Sequence, residues 1–123
     1  MRGNAISWFE IYVQDISRAR AFYEIVFETR LQKLTDANPE LWAFPGDVNT
    51  YGCNGALAYV PGFPSGGNSV VVYFACEDCS VQVARAANAG GSIVREKMSI
   101  GPHGFIALVR DTEGTLIGLH SMK

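Results

Sequence analysis

Two stretches of the chain show the same order of apolar and polar positions. Residues 8–15 are mostly apolar and end at Asp15, after which Ser17 opens an alanine-rich stretch. An offset of 63 residues aligns Asp15 with Asp78 and Ser17 with Ser80, and residues 71–78 repeat the apolar run. Each copy predicts a strand, an acidic turn and a helix, so the chain is interpreted as an internal duplication.

Two helices are predicted, over about residues 17–27 and 80–89. Asp15 or Ser17 can cap the first helix, and Ser80 is the predicted cap of the second. Gly90-Gly91 supplies the left-handed stop after the second helix. The apolar stripe of the first helix consists of Ile16, Ala19, Phe22, Tyr23, Val26 and Phe27.

Three short strand-like stretches follow each helix. They cover residues 31–34, 40–44 and 56–60 in the first half and 92–96, 105–109 and 115–120 in the second, with turn residues between them. The pattern therefore predicts a single unit over residues 1–123, with one module at about 4–60 and another at about 69–123. The proline- and glycine-rich residues 61–68 form the linker.

Each half thus reads as βαβββ, which is an α+β fold. One helix covers only one face of a four-stranded sheet, so the other face must be buried or bind something. Two modules side by side are expected to form a curved eight-stranded sheet around a concave cleft, which is a natural small-molecule site.

Composition narrows the class of partner. Of 123 residues 48% are hydrophobic and 18% charged, which argues against disorder. Ten basic and twelve acidic residues give a net charge of −2, so no basic stripe suggests nucleic acid. No apolar run is long enough for a membrane span, and the residues from Met1 to Ile6 lack the apolar core of a secretion signal. We therefore expect a cytoplasmic protein.

The cysteines are three in number: Cys53, Cys76 and Cys79. An odd count favours a reduced compartment and excludes a four-cysteine zinc site within one chain. Cys76 and Cys79 form a C-x-x-C at a strand end before a helix, the context used by thiol oxidoreductases. The acidic Glu77 and Asp78 between them disfavour a thiolate, and three strands after the helix are wrong for a thioredoxin-like fold.

The organisation resembles the glyoxalase / bleomycin-resistance / extradiol-dioxygenase superfamily, also called vicinal oxygen chelate proteins. The resemblance is carried by residues 8–15, 19–23, 73–78, 89–91, 101–105 and 110–120, the last of which include an Asp-x-Glu-Gly turn. It implies paired βαβββ modules, a homodimer, and a small-molecule ligand or substrate. It does not fix the chemistry, because this fold hosts isomerases, dioxygenases, thiol transferases and drug-binding proteins.

Metal enzymes that the chain resembles hold a divalent ion, such as zinc, nickel, iron or manganese, with His, Glu or Gln on the first and last strands of each module. The matching positions here are Trp8, Val71 and Gly118, and the last strand of module one offers Gly55, Leu57 or Tyr59. None of these is a good ligand, so the standard site is expected to be lost and no cofactor is certain.

A second set lies two residues further along three of the strands, on the same faces because strand side chains alternate. It comprises Glu10, Tyr73 and His120. Glu10 and His120 can hold a metal or each other, and Glu10 is the candidate proton acceptor. The alternatives are a solvent-facing Glu10 and a frayed-end His120.

His103 lies in the Gly101–Gly104 turn, where it is either a solvated turn residue or a proton-exchanging group that gates the cleft. At least half of the strand aromatics are expected in the core, and the rest can stack on a flat ligand. The candidates for ligand binding are Trp8, Tyr12, Trp42, Tyr59 and Tyr73.

Two functions remain open from the sequence. One is a metal-free protein, similar to bleomycin-resistance proteins, that holds a small aromatic or cationic compound in the cleft. The other is a metal-dependent lyase, isomerase or dioxygenase of glyoxalase type that uses Glu10 and His120.

Overall fold

The computed structural model describes residues 3–47 and 49–123, so Met1 and Arg2 of the signal-sequence argument lie outside the described residues. Among these residues no helix is both long and apolar enough to cross a membrane. The elements in chain order are β1 (Phe9–Tyr12), α1 (Ile16–Phe27), β2 (Gln32–Thr35), β3 (Glu40–Ala43), β4 (Gly55–Tyr59), β5 (Val72–Ala75), α2 (Cys79–Asn88), β6 (Ser92–Ser99), a 3₁₀ turn (Gly101–His103), β7 (Phe105–Arg110) and β8 (Leu116–Ser121).

The strands form two four-stranded sheets, in the orders β1-β4-β3-β2 and β5-β8-β7-β6. In each sheet the first strand pairs in parallel with the last, and the other pairs are antiparallel. The predicted α+β fold of two βαβββ modules is therefore confirmed. The eight strands are divided between two sheets, with β1 and β5 at their edges, and do not form one continuous ladder.

Both helices begin at an aspartate. The Asp15 side chain accepts a hydrogen bond from the Arg18 amide at 3.1 Å and caps α1. The cap of α2 is Asp78, whose carboxylate accepts from both the amide and the hydroxyl of Ser80. The prediction that Ser80 caps α2 was wrong, because the aspartate at the strand end reaches the free amides first and the helix starts at Cys79.

The strand register decides which positions face the core. Gly55 and Leu57 pair with Phe9 and Ile11, whose side chains lie in the core. Gly55, Leu57 and Tyr59 therefore lie on the same, core-directed face of β4. The expectation that they stand at the metal positions of module one was wrong by one residue. The β4 positions on the Glu10 face are Ala56 and Ala58, which carry no metal-binding group.

Aromatic rings from both modules join the two sheets. Phe74 of β5 stacks on Phe27 of α1 with ring centroids 4.6 Å apart and lies 5.8 Å from Tyr23. Phe9 of β1 packs edge-on against Phe74 at 6.1 Å. Since these rings are apolar and half to fully buried, they hold the modules together within one chain.

Candidate small-molecule site

Two hollows lie where the edges of the two sheets meet. We call this region the seam. The small hollow, of about 350 Å³, is bounded by β1, residues 64–68 of the linker and the start of β8. The large hollow, of about 740 Å³, is bounded by β1 and β5, the end of α1 and the loop at residues 51–53. Phe9, Val70 and Val72 line both, so the hollows are neighbours that share walls.

Glu10 is the centre of a row of side chains on β1. The Trp8 indole Nε1 donates to Glu10 Oε2 at 3.2 Å, and the Tyr12 hydroxyl donates to Glu10 Oε1 at 3.1 Å. The three side chains share one face, as the alternation of strand residues predicts. Glu10 and Tyr12 line the small hollow and Trp8 lines the large one. The carboxylate is exposed rather than desolvated, which removes the expected cost of burying it.

The linker completes the small hollow. The Phe63 ring lies 4.4 Å from the Tyr12 ring, and the Gln14 side chain donates to the Phe63 carbonyl at 2.6 Å. Asn68 donates to the Leu116 carbonyl and accepts from its amide, which ties the linker to β8. Burial, followed by the hydrogen bond to Glu10 and the charge of that carboxylate, raises the pKa of Tyr12, so its hydroxyl stays a donor at neutral pH.

Tyr73 lines the large hollow from β5, and 48% of it is exposed. Its ring lies over Gly118, the paired residue on β8, so closely that a Cβ at Gly118 would overlap the ring. The small residue at this position is thus explained by an aromatic neighbour. Sequence reasoning placed Tyr73 and Gly118 on one face correctly but could not foresee the contact.

His120 and His103 meet each other rather than Glu10. The His120 Nε2 lies 2.7 Å from the backbone carbonyl of His103, which can only accept, so this nitrogen carries the proton. His103 is exposed in the 3₁₀ turn. Among the described residues neither imidazole lines a hollow, and no hydrogen bond or ion pair joins Glu10 to His120. A catalytic role for Glu10 or His103 remains a prediction.

Two of the predicted ligand-binding aromatics lie on the other face of their sheet. Trp42 packs against the core, with the Arg20 guanidinium of α1 3.5 Å from its ring centroid. Its indole donates to Glu40 at 2.8 Å. Tyr59 is also packed on the core side. Trp42 and Tyr59 therefore belong to the helix-covered face, and Trp8, Tyr12 and Tyr73 are the candidates that reach the seam.

The donor set does not fit a tightly held divalent ion. In residues 3–47 and 49–123, no three side chains of the types His, Cys, Asp and Glu gather at one point. The positions matching the metal ligands of the superfamily are occupied by Trp8, Val71 and Gly118, and the neighbouring Glu10 is held by two neutral donors. Tight metal sites supply at least three strong ligands.

The Asp-x-Glu-Gly turn fixes one end of the seam. The Glu113 side chain, with no exposed surface, accepts from the amides of Gln14 and Asp15 at 2.9 and 3.0 Å. Arg18 donates to it from Nε at 2.7 Å and from Nη2 at 2.8 Å. Burial alone would raise the pKa of Glu113, but the bonds from Arg18, Asp15, Thr112 and Gln14 hold it at about 2. This turn of module two therefore clasps the start of α1 in module one.

A second buried carboxylate supports the clasp. The Tyr23 hydroxyl donates to Asp111 at 2.6 Å, and Asp111 also accepts from the amides of Glu113 and Thr115. Burial raises the pKa of Asp111 against these bonds, and burial beside the carboxylate raises that of Tyr23. The sequence marked the turn as a family feature but gave no sign that its acids reach across to the other module.

The cysteine pair is poorly suited to redox chemistry. Burial, followed by the neighbouring Cys79, raises the pKa of Cys76 to about 11, and Cys79 is fully buried. A thiolate is the reactive form of cysteine, so both thiols are unreactive at neutral pH. Cys53 is exposed beside the large hollow.

The comparisons with known proteins match this fold over nearly the whole chain. A sequence model of the glyoxalase/bleomycin resistance protein/dioxygenase superfamily matches residues 5–119. The chain belongs to this superfamily. The protein CFP32 of Mycobacterium tuberculosis, which carries a provisional glyoxylase name, is 31% identical over 119 residues, as is its counterpart from Mycobacterium bovis. The match covers 91% of this chain but only 42% of either relative.

Solved structures of the superfamily share the fold. A glyoxalase/bleomycin resistance protein from Albidiferax ferrireducens superimposes with a TM-score of 0.67 at 17% identity, over 94% of this chain and 98% of that one. Glyoxalase I from Zea mays superimposes with a TM-score of 0.73 at 20% identity, over 93% of this chain and 43% of that one. At these identities the likeness concerns the fold, and the chemistry must be argued from the site.

Proposed function

We propose that this superfamily member is a small-molecule-binding protein that holds its ligand in the seam between its two βαβββ modules, without a catalytic metal. One observation carries the proposal: the two adjoining hollows are lined by both modules and bordered by the row Trp8, Glu10 and Tyr12. A site of several hundred Å³ with mostly apolar walls and few polar groups is typical of small-ligand binding.

The clasp supports this role by making the seam rigid. The bonds of Glu113 and the bonds of Asn68 fix the start of α1 and the linker against module two. A wall that is already ordered loses little conformational entropy when a ligand binds. The seam is therefore preorganised rather than formed by the ligand.

A blocked seam tests the proposal. Val70 is 69% exposed and lines both hollows, so Val70→Trp would fill the shared wall without disturbing the core. Val81 on α2 is 42% exposed and lines neither hollow, which makes Val81→Trp the matched control. Compounds would be selected by thermal shift with the wild-type protein, and their affinities measured by calorimetry.

The proposal predicts that Val70→Trp lowers the affinity for the selected compounds at least tenfold while Val81→Trp leaves it unchanged. Equal affinity in both variants would place the binding outside the seam and contradict the proposal. So would the failure of every compound in a chemically diverse set to bind the wild-type protein.

The second function from the sequence, a metal-dependent lyase, isomerase or dioxygenase, is tested separately. Untagged protein, the variant Glu10→Gln and the variant His120→Ala are analysed for bound metal. Near-stoichiometric metal that both variants lose would replace the binding proposal by the enzyme. Metal content far below one ion per chain in all three would support the metal-free site.

We also propose that the protein is a homodimer in the cytoplasm. Apolar side chains remain exposed on β6 in the single chain, namely Ile93, Val94 and Met98, and exposed apolar patches of this kind mark contact surfaces. Sedimentation equilibrium should give twice the mass of the chain, and Val94→Glu should shift it toward the monomer. A monomeric wild-type protein would contradict this part of the proposal.

A further inference from the structure

The walls of the two hollows differ in charge. Among the described residues that line the small hollow, Glu10 is the single charged side chain. The described lining of the large hollow contains no Asp, Glu, Lys, Arg or His. The seam thus presents one negative charge at one end and an uncharged, largely aromatic and aliphatic cavity at the other.

The carboxylate of Glu10 still has acceptor capacity. Each of its oxygens accepts one neutral donor, from Trp8 or Tyr12, and a carboxylate oxygen can accept two hydrogen bonds. No Lys, Arg or His of the described chain forms an ion pair with it, whereas Glu24, Glu28 and Glu113 are each paired with an arginine. Glu10 is therefore held in one orientation by groups that leave its charge uncompensated.

The rings beside Glu10 favour the same kind of partner. Tyr12 and Phe63 stand at the edge of the small hollow with their ring centroids 4.4 Å apart. Aromatic faces attract cations, and the attraction grows where water is partly excluded. An anion would be repelled by the carboxylate and would find no cationic group in the described walls to compensate it.

We propose, building on the proposed function, that the ligand is a hydrophobic organic amine. Its ammonium or amidinium group binds the carboxylate of Glu10 in the small hollow, and its apolar or aromatic body occupies the large hollow beside Trp8 and Tyr73. The shared walls at Phe9, Val70 and Val72 allow one molecule to extend from one hollow into the other. An inorganic cation would use only the carboxylate and leave the large apolar cavity unfilled.

Three probes of the same shape separate charge from apolar contact: 4-phenylbutylammonium, 4-phenylbutanol and 4-phenylbutyrate. Calorimetry at pH 7 and low salt should show the ammonium binding about three- to tenfold tighter than the alcohol, as expected for an exposed to partly dehydrated ion pair. The butyrate should bind most weakly. Added salt should reduce the preference for the ammonium, because partly exposed charges are screened.

The variant Glu10→Gln keeps the shape and an acceptor oxygen but removes the charge. It should abolish the preference of ammonium over alcohol and leave the affinity for the alcohol nearly unchanged. Glu96→Gln is the matched control, because Glu96 is exposed on β6, lines neither hollow and loses the same charge. It should keep the wild-type preference.

The outcomes distinguish the two proposals. Equal binding of ammonium and alcohol, or a preference that survives Glu10→Gln, would overturn the amine inference while the seam remained a small-molecule site. Tighter binding of the butyrate would do the same. Binding of none of the three probes would overturn the amine inference and, together with failure of the diverse set, the proposed function as well.

Discussion

Replacing Glu113 by glutamine should weaken the clasp between the two modules. Glu113 Oε1 accepts from the Gln14 and Asp15 amides and from Arg18 Nη2, while Oε2 accepts from Arg18 Nε and the Thr112 hydroxyl. Glutamine keeps one acceptor oxygen but places an amide NH₂ where donors already point. The variant therefore loses the negative charge and sets donor against donor in a site closed to water.

The magnitude follows from the pKa of the carboxyl. A lowering from the ordinary value of 4.5 to about 2 corresponds to about 3 kcal/mol of stability for the folded state. A depressed folded pKa means that this contribution is fully present above about pH 4.5 and is lost as the pH falls toward 2. At pH 3 roughly half of it should remain.

Urea unfolding followed by circular dichroism measures this loss. The free energy of unfolding of Glu113→Gln should lie about 3 kcal/mol below that of the wild type at pH 7, and the difference should shrink by roughly 1.5 kcal/mol at pH 3. The exposed control Glu96→Gln should stay within about 0.5 kcal/mol of the wild type. A difference below about 1 kcal/mol at pH 7, or one that is the same at pH 3, would refute the reasoning.

Three further predictions concern single residues. Tyr23→Phe should cost about 1–3 kcal/mol of unfolding free energy by removing a donor from a buried carboxylate, measured by urea unfolding, and a neutral result would contradict that bond. Gly118→Ala should lower the melting temperature and change the near-ultraviolet dichroism, since its methyl group displaces the Tyr73 ring; Tyr73→Ala in the same background should recover part of the loss. Alkylation at pH 8 should label Cys53 quickly and Cys76 slowly until the protein unfolds, with the same count of reactive thiols with and without reductant; a reductant-dependent count would revive the redox interpretation.

The sequence predicted those features that depend on local pattern. The repeat centred on Asp15 and Asp78 gave both modules, because an apolar strand followed by an aspartate and an amphipathic helix is readable from side-chain spacing alone. The shared face of Trp8, Glu10 and Tyr12 followed from strand alternation in the same way.

Features set by contacts between modules were not predictable. The one-residue slip at Gly55, Leu57 and Tyr59 arose because β4 is apolar on both faces, so its pattern does not say which side meets the core. Trp42 was misassigned since an aromatic strand residue suits a core and a pocket equally well. The partners of Glu113 lie 95–99 residues away in sequence, and no local signal reports such a contact.

The two tryptophans provide the most direct test of the seam. The indole N–H of Trp8 lies beside the hollows on Glu10, while that of Trp42 lies under α1 on Glu40, so the two indole resonances in a ¹H–¹⁵N spectrum report on opposite faces. Titration with 4-phenylbutylammonium or its alcohol should move the Trp8 resonance, assigned with Trp42→Phe, and leave the Trp42 resonance in place. A saturating ligand that moves Trp42 alone, or neither resonance, would contradict binding in the seam.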